Sequence, residues 1–436
     1  MFLQNAIENR IDDDNPVKVA LIGAGKFGSM FLSQVPSTKG IKVLVIADLK
    51  PDNAIKACKN VGWSDDLINK TKFVDTGADA IKLNEVEVVI EATGFPAAGI
   101  EHARQAFQNG KHIIMVNVEA DVLAGAALAK EANSVGIVYS MAYGDQPALT
   151  AEIVEWARAS GFNVTSAGKG TRYQPIYHKS SPDTVWDYYG LTHEEARKAG
   201  MNPKMFNSFL DGTKSGLEMA AIANACDLEV PTNGLLFPPC GMDDLANILK
   251  PLEFGGLLEK NGQVEVVSSL ERDGRPVFKD LRWGVYAVLE APNDYAASCF
   301  KQYGMNTDDT GKYSAMYKPF HLIGMELNIS VFSAALLNQA TGQTKKFTGD
   351  VVSTTKKNLK KSEILDGEGG ATVWGKLVPS KISLSMEALP IGLAHGIKLK
   401  NEIEENKIIT WNDVDFSSND PAISYRRKME KDFKKS

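Results

Sequence analysis

Short runs of apolar residues alternate with segments of helical periodicity over the first 150 residues of the chain. The apolar runs lie at 17–22, 41–47, 86–90, 112–116 and 136–140. Runs of about four to eight residues that are rich in β-branched side chains are typical of fully buried strands. The segments between them, at 29–35, 97–107 and 124–132, have the apolar spacing of helices. Strands and helices in alternation predict an α/β fold with a doubly wound parallel sheet.

A glycine-rich sequence follows the first predicted strand directly. It is a G-x-G-x-x-G with Gly23, Gly25 and Gly28, and with Lys26 and Phe27 between the last two glycines. Between a strand and a helix this sequence predicts a dinucleotide site, because the glycines permit a tight turn and a close approach of the backbone to pyrophosphate. A glycine-rich turn without a ligand is the alternative.

The second predicted strand ends at Asp48, 20 residues beyond Gly28. A carboxylate at this place holds the adenosine ribose hydroxyls and repels the 2′-phosphate of NADP, which favours NAD. Lys50 follows closely and could offset that repulsion, so the choice between NAD and NADP stays open. Ligands in such sheets bind beyond the carboxyl ends of the strands. Thr93, Gly94 and Asn117 are expected at that edge as cofactor-binding residues. Tyr143, Asp145 and Gln146 are expected there as substrate-binding residues on a polar loop, for which a plain connecting turn is the alternative.

Residues 163–218 are dense in cations that could bind an anionic substrate. These are Lys169, Arg172, Lys179, Lys204 and Lys214. Lys169 stands between two glycines after a predicted strand at 163–167, and we expect it on an exposed loop. Convergence of three or more of these side chains would form a pocket for phosphate or carboxylate. Scattered, solvated lysines are the alternative.

Asp211, Lys214 and Glu218 have the spacing of one helix face, provided that the helix starts at Asp211. Lys214 is then a candidate hydrogen-bond donor or proton carrier that an acid holds in place. Asp211 could instead cap the helix, and Lys214 could form a surface ion pair with Glu218. Further along the chain, 264–270 and 281–289 predict a hairpin, and 322–337 predicts a long buried helix.

Composition excludes several classes of protein. The 436 residues are 44% apolar and 23% charged with a formal net charge of −6, which is ordinary for a globular protein and argues against nucleic acid as the main partner. No apolar run approaches the ~18 residues of a membrane span. Four cysteines without a C-x-x-C pair indicate free thiols, and we expect a cytoplasmic protein.

Two stretches, VVIEATGFP and GKHIIMVN, resemble the nucleotide-binding half of homoserine dehydrogenases. Val118 stands where that family has a catalytic lysine. The C-terminal segment is similar to a SAF domain, a β-clip fold. Together with the stretches GKGTRYQP and MNPKMFNSFLDGTKS, it makes the chain resemble the second class of 1-deoxy-D-xylulose 5-phosphate reductoisomerase-like proteins. The resemblance covers residues 17–415.

The resemblance implies a domain order and a set of partners. A Rossmann domain would occupy 1–150 and an α+β catalytic domain with a mixed sheet 151–345, from which a helix near 322–337 returns to the first domain. A SAF-like domain with a solvated basic tail would occupy 346–436. NADPH is the implied cofactor, with NADH as a second option, and Mg²⁺ or Mn²⁺ follows by analogy, with Glu119, Asp145 and Glu218 as acids that could converge. A homo-oligomer, most simply a dimer, is also implied.

The implied reaction converts 1-deoxy-D-xylulose 5-phosphate to 2-C-methyl-D-erythritol 4-phosphate, an isoprenoid precursor. Lys214 with Asp211 would carry the proton, and Lys169, Arg172 and Lys204 would bind the phosphate. One alternative is an NAD(P)-dependent dehydrogenase of another small polyol, hydroxy acid or branched sugar derivative. A more distant alternative is a dinucleotide-bound sensor without catalysis.

Overall fold

The computed structural model describes residues 3–434 and divides into two compact units. Unit 1 is the chain up to Glu152 together with His321–Lys345, and unit 2 is Ile153–Phe320 together with the chain from Lys346 onward. The strands are β1 (Val17–Ile22), β2 (Ile41–Ala47), β3 (Lys72–Val74), β4 (Val88–Glu91), β5 (His112–Met115), β6 (Tyr139–Met141), β7 (Asn163–Thr171), β8 (Gln263–Ser268), β9 (Val285–Glu290), β10 (Tyr313–Lys318), β11 (Gly349–Thr355), β12 (Ile364–Asp366), β13 (Val373–Pro379), β14 (His395–Leu399) and β15 (Val414–Asp415). The helices are α1 (Gln4–Asp12), α2 (Lys26–Gln34), α3 (Pro51–Asn60), α4 (Asp65–Asn69), α5 (Gly77–Ile81), α6 (Pro96–Gln108), α7 (Val118–Ser134), α8 (Gln146–Ala159), α9 (Val185–Tyr189), α10 (His193–Lys198), α11 (Pro203–Leu210), α12 (Thr213–Cys226), α13 (Leu245–Ile248), α14 (Asp294–Gln302), α15 (Asn328–Leu337), α16 (Ser380–Met386) and α17 (Pro421–Lys434).

Unit 1 is built on a six-stranded parallel sheet in the order β3-β2-β1-β4-β5-β6. This is the strand order of a Rossmann sheet, so the predicted α/β class is confirmed. Its core includes Leu21 and Ile46 from the sheet and Val331 and Phe332 from α15. The helix predicted at 322–337 begins only at Asn328, because residues 323–327 form turns.

Unit 2 contains a mixed four-stranded sheet in the order β10-β9-β7-β8. The long strand β7 pairs in parallel with β8 and antiparallel with β9. The predicted hairpin of 264–270 and 281–289 is therefore wrong, since β7 lies between β8 and β9. Both strands are buried along nearly their whole length and so lack the polar alternation of an exposed hairpin.

The C-terminal part of unit 2 carries two small sheets. Strands β11 and β13 form an antiparallel pair, and β12, β14 and β15 form a second antiparallel sheet. The SAF-domain identity of this segment, which the resemblance implies, stays a prediction.

The basic tail is folded, contrary to the prediction of a solvated segment. Arg426 of α17 is completely buried, where its guanidinium pairs with Asp350 and, at 2.9 Å, with Glu430. The Phe347 ring lies 5.0 Å from the guanidinium carbon. Two carboxylates and an aromatic face thus compensate a charge that would be costly to bury alone.

Candidate functional site

The glycine-rich loop of unit 1 forms the open start of α2. Gly25 is the residue before the helix, and no side chain caps the first turn. A Cβ added to Gly25 would meet no atom within 4 Å, so the backbone borders open space there. Backbone N–H groups at a helix N-terminus lack partners within the helix and favour an anion. The loop can therefore receive a pyrophosphate.

Gly28 has a different role in the same loop. A Cβ at this position would lie 2.4 Å from the carbonyl oxygen of Gly23, whose φ is +96°. The glycine thus lets the helix pack closely on the turn, while Gly25 leaves the outer side of the loop open. Lys26 and Phe27, which lie between Gly25 and Gly28 in the sequence, are the first two residues of α2.

Asp48 is tied to the glycine-rich loop. Its Oδ2 accepts a hydrogen bond from the Ala24 amide at 3.2 Å, and its Oδ1 accepts one from the Lys50 amide at 3.0 Å. A shallow cleft of about 520 Å³ lies at the neighbouring ends of β2 and β3, lined in part by Leu49 and Asp75. The carboxylate is thus fixed where the adenosine ribose of a dinucleotide binds in a Rossmann sheet.

A second polar group lies at the end of β4. Glu91 is fully buried, and its Oε1 accepts hydrogen bonds from Thr93 Oγ1 at 2.5 Å and from His102 Nδ1 at 3.2 Å. Its Oε2 is buried with no hydrogen-bond partner among residues 3–434. Asn117 donates to the Phe95 carbonyl at 3.0 Å and caps α7. The sequence indicated Thr93 and Asn117 from their position and gave no signal for Glu91 or His102.

Tyr143, Asp145 and Gln146 belong to unit 1, and all three are buried. The Tyr143 hydroxyl donates to Glu152, and burial together with that carboxylate raises the pKa of Tyr143 well above its ordinary value. Asp145 Oδ1 accepts from the Gln146 amide at 2.9 Å. Gly94, the remaining residue predicted at this edge, has a φ of +69° and open space around it. A substrate-binding role for the three buried residues stays a prediction.

Lys169 does not lie on an exposed loop, contrary to the prediction. It is buried in the middle of β7 and pairs with Glu218 of α12. Its flanking glycines are explained by crowding, because a Cβ at Gly168 or at Gly170 would lie 1.9 Å from a backbone carbonyl of a neighbouring segment. The pair joins α12 to the sheet.

Asp211 precedes α12 and does not belong to it. The helix begins at Thr213, so the predicted single face of Asp211, Lys214 and Glu218 is not formed. Asp211 is fully buried, and its Oδ2 accepts from Lys356 Nζ at 2.7 Å, while its Oδ1 accepts from the Thr213 amide at 2.8 Å. The acid therefore fixes the start of α12, with Lys356 as its cation.

Lys214 has a distinctive place in α12. Every other residue of this helix, from Thr213 to Cys226, is buried, and Lys214 alone is half-exposed. A cation in the first turn opposes the helix dipole, so the helix gains no stability from it. A ligand-binding role for Lys214 stays a prediction.

The other predicted anion-binding cations each have a separate partner. Arg172 donates to the Tyr188 carbonyl at 3.0 Å, Lys179 pairs with Glu405 at 2.6 Å, and Lys204 donates to the Asp366 carbonyl. These three cations therefore share no partner within the described part of the chain, and their convergence on one phosphate stays a prediction.

The part of the chain that the structure describes also lacks a donor set for a divalent metal. Within residues 3–434, no group of three or more histidine, cysteine or acidic side chains is placed to hold a metal ion. Glu119, Asp145 and Glu218 accordingly form no such group. We derive no step of the chemistry through Mg²⁺ or Mn²⁺.

Glu265 in β8 has a strongly perturbed pKa. It is fully buried and accepts backbone N–H bonds from Leu236 and Phe237, at 3.1 and 3.3 Å, and from Val266 at 2.8 Å. Burial outweighs these bonds and raises its pKa from the ordinary 4.5 to about 7.

This shift predicts a pH-dependent stability. The folded chain holds the Glu265 proton more tightly than the unfolded chain, so the stabilisation is complete below pH 4.5 and is lost as the pH rises through about 7. Relative to Glu265→Gln, the wild type should lose about 3 kcal/mol of unfolding free energy over that range. Urea unfolding of both proteins at several pH values measures this, and parallel profiles would contradict it.

Residues 144–327 match the family profile described as oxidoreductase DRL, catalytic domain. The matched segment includes Lys169, Asp211, Lys214 and Glu218. This part of the chain is therefore similar to an oxidoreductase catalytic domain.

Solved structures of dehydrogenases and reductases align with parts of the chain. Levoglucosan dehydrogenase, solved with NADH and L-sorbose, aligns with 63% of this chain and 64% of its own at 16% identity and a TM-score of 0.32. The 3-ketoreductase KijD10 from Actinomadura kijaniata, solved with NADP, aligns over 37% and 50% at 16% identity and a TM-score of 0.26. A myo-inositol dehydrogenase from Corynebacterium glutamicum aligns over 39% and 48% at 12% identity and a TM-score of 0.29.

These alignments span about half to two thirds of the neighbours' chains and carry no argument about substrate. A search among curated proteins found no significant match. None of the helices between residues 3 and 434 is both long and apolar enough to cross a lipid bilayer.

Proposed function

We propose that the protein is a nicotinamide-dependent dehydrogenase or reductase of a small polar molecule, such as a polyol, a hydroxy acid or a sugar derivative. The observation that carries the proposal is the uncapped N-terminus of α2, open at Gly25 and joined to the Asp48 carboxylate. The helix terminus favours the pyrophosphate, and Asp48 would accept hydrogen bonds from the ribose hydroxyls. The match of residues 144–327 to an oxidoreductase catalytic domain supports the same class.

The chain's own residues would handle the proton. When bound, the nicotinamide supplies or accepts a hydride. Lys214 would donate a hydrogen bond to the carbonyl oxygen of the substrate and pass it a proton as the carbonyl becomes a hydroxyl. In the opposite direction the uncharged amine would take the proton from that hydroxyl. Asp211 is a positioning residue, because it holds the turn before α12 through the Thr213 amide.

Asp48 should make the protein prefer NADH over NADPH, because its fixed carboxylate would repel a 2′-phosphate. Asp48→Ser removes the charge and keeps a small polar side chain. We expect the ratio of NADH to NADPH affinity to fall at least about tenfold in this variant, equivalent to roughly 1.4 kcal/mol. Titration calorimetry with both cofactors measures the ratio. An unchanged ratio would show that Asp48 does not face the ribose.

Reductoisomerisation of 1-deoxy-D-xylulose 5-phosphate is the narrower candidate. Its support is the family resemblance of the sequence, whereas the matching profile supports an oxidoreductase catalytic domain in general. The separate partners of Lys169, Arg172 and Lys204 weigh against a phosphate pocket formed by these residues. The broader dehydrogenase proposal does not require that pocket.

A substrate panel with the full chain tests both candidates. Polyols and hydroxy acids would be assayed for reduction of NAD⁺ and NADP⁺. 1-Deoxy-D-xylulose 5-phosphate would be assayed for oxidation of NADH and NADPH, with and without Mn²⁺. The products would be identified by mass. We expect turnover of at least one polyol or hydroxy acid. Turnover of the sugar phosphate to a branched polyol phosphate would select the narrower candidate. A chain that binds dinucleotide and turns over nothing would favour a sensor.

A further inference from the structure

Unit 2 contains a cavity of about 200 Å³ between the start of α12 and strand β13. The residues that shape it include His178, Gly212, Gly216, Phe237, Trp374 and Lys376. None of the predicted site residues lines it. A cavity of about 150 Å³ already admits a benzene ring, so this one has room for a ring that carries a small substituent.

Aromatic rings form one wall of the cavity. Trp374 stacks on His178 with ring centroids 4.0 Å apart, and Phe237 stacks on Tyr173 at the same separation. The His178 ring is fixed at both nitrogens, because Nδ1 donates to the Asp211 carbonyl at 2.7 Å and Nε2 accepts from the Tyr173 hydroxyl at 2.9 Å. Burial lowers the pKa of His178, so the ring is neutral. The wall thus offers rigid, uncharged aromatic surface.

Lys376 supplies the charge of the cavity. Its side chain is half-buried, and no hydrogen bond or ion pair joins it to another of the residues 3–434. No carboxylate lines the cavity. The nearby carboxylate of Asp211 is already held by Lys356 and by the Thr213 amide. The half-buried ammonium therefore has no anion within the described chain to compensate it.

The cavity lies on a different face of α12 from the predicted proton carrier. At about 100° per residue, Gly216 is about 200° around the helix from Lys214. Gly216 packs against β13, where a Cβ would lie 3.1 Å from the Gly375 carbonyl. Glu218, near Lys214 on the helix surface, pairs instead with Lys169 of β7. The cavity is thus separate from the Lys214 side of the helix.

We propose that this cavity binds a small planar organic anion, typified by a single-ring carboxylate. The carboxylate pairs with Lys376, and the ring packs against the His178 and Trp374 surface. The positive end of the α12 dipole at Gly212 also favours a negatively charged ligand. This is a second ligand site, independent of the proposed nicotinamide site.

Calorimetric titration of the full chain with benzoate tests the proposal, with benzyl alcohol as the uncharged analogue. Benzoate should bind in the millimolar range and benzyl alcohol at least about tenfold more weakly, since it lacks the charge. Lys376→Met should weaken benzoate binding by a similar factor. The matched control is Lys398→Met, at an exposed lysine of β14, which should bind benzoate as the wild type does.

NADH affinity and the thermal midpoint are measured in the same proteins, and both should be unchanged by Lys376→Met. Failure of NADH binding in the wild type would contradict the proposed function, but it would not contradict the proposal of an anion site in this cavity. Absence of benzoate binding, equal binding of benzyl alcohol, or wild-type benzoate affinity in Lys376→Met would each overturn the anion site. The comparison with benzyl alcohol uses only the wild type and does not depend on the folding of a variant.

Discussion

Replacing Lys356 by methionine is expected to lower the free energy of unfolding by about 3–5 kcal/mol. The ammonium of Lys356 lies 2.7 Å from each of three oxygens, Asp211 Oδ2 and the carbonyls of Ser180 and Gly370. The side chains of the ion pair are 2% and 0% exposed, so water screens neither charge. Methionine matches the length of lysine without its charge, and it would leave the Asp211 carboxylate buried and uncompensated.

A double-mutant cycle separates this ion pair from general packing damage. Lys356→Met, Asp211→Asn and the double variant are compared by urea unfolding, and the double variant should lose clearly less than the sum of the two single losses. Lys198→Met is the control, because Lys198 forms an exposed pair with Glu194 at 2.8 Å and should cost less than about 1 kcal/mol. Additive losses, or a Lys356 variant as stable as the control, would contradict the account.

The second prediction with a large expected effect concerns the enzymatic turnover of a Lys214 variant. Lys214→Ala should reduce kcat by about 10²- to 10⁴-fold, the range that a positioned proton donor contributes. Stability should change less than in Lys356→Met, because Lys214 is the one residue of α12 that is not buried and its charge opposes the helix dipole. NADH affinity should also stay the same, since the predicted dinucleotide residues belong to unit 1. Steady-state kinetics on the substrate found in the panel, with calorimetric NADH titration, gives all three quantities.

Lys198→Ala is the matched control for this experiment, at an exposed helical lysine outside the site. An added small amine should restore part of the activity of Lys214→Ala, whereas a merely structural lysine would show no such rescue. Near-normal rates in Lys214→Ala would remove the residue from proton transfer.

The fold of unit 1 follows from local patterns. The predicted strands at 17–22 and 41–47 coincide with β1 and β2, because each is an apolar run interrupted by a single lysine and the sheet buries most of its residues. Strand β3 escaped prediction because its three residues are exposed or only half-buried and so carry no apolar run. The glycine-rich loop was predictable because its motif is contiguous, and Asp48 was predictable because it directly follows the apolar run of β2.

The polar groups of unit 2 depend on contacts that no local pattern contains. Lys356 is 145 residues from Asp211 along the chain, in a lysine-rich stretch where nothing distinguishes it from its solvated neighbours. The glycines around Lys169 suggested a ligand loop, but they reflect the backbone of Glu265 and of Leu281, which approaches from other segments. The sequence shows that these side chains are charged, but their partners come from distant segments and are determined by tertiary packing.

The most direct test of the account is calorimetric titration of NADH into Gly25→Ala. Gly25 has a φ of −69°, and its added Cβ would meet no atom of the protein, so the unfolding free energy should stay within about 1 kcal/mol of the wild type. The methyl group would occupy the space proposed for the pyrophosphate. The account predicts NADH binding by the wild type and at least about tenfold weaker binding by the variant, or roughly 1.4 kcal/mol. Equal affinities, or no NADH binding by the wild type, would contradict the proposal that this loop holds a nicotinamide cofactor.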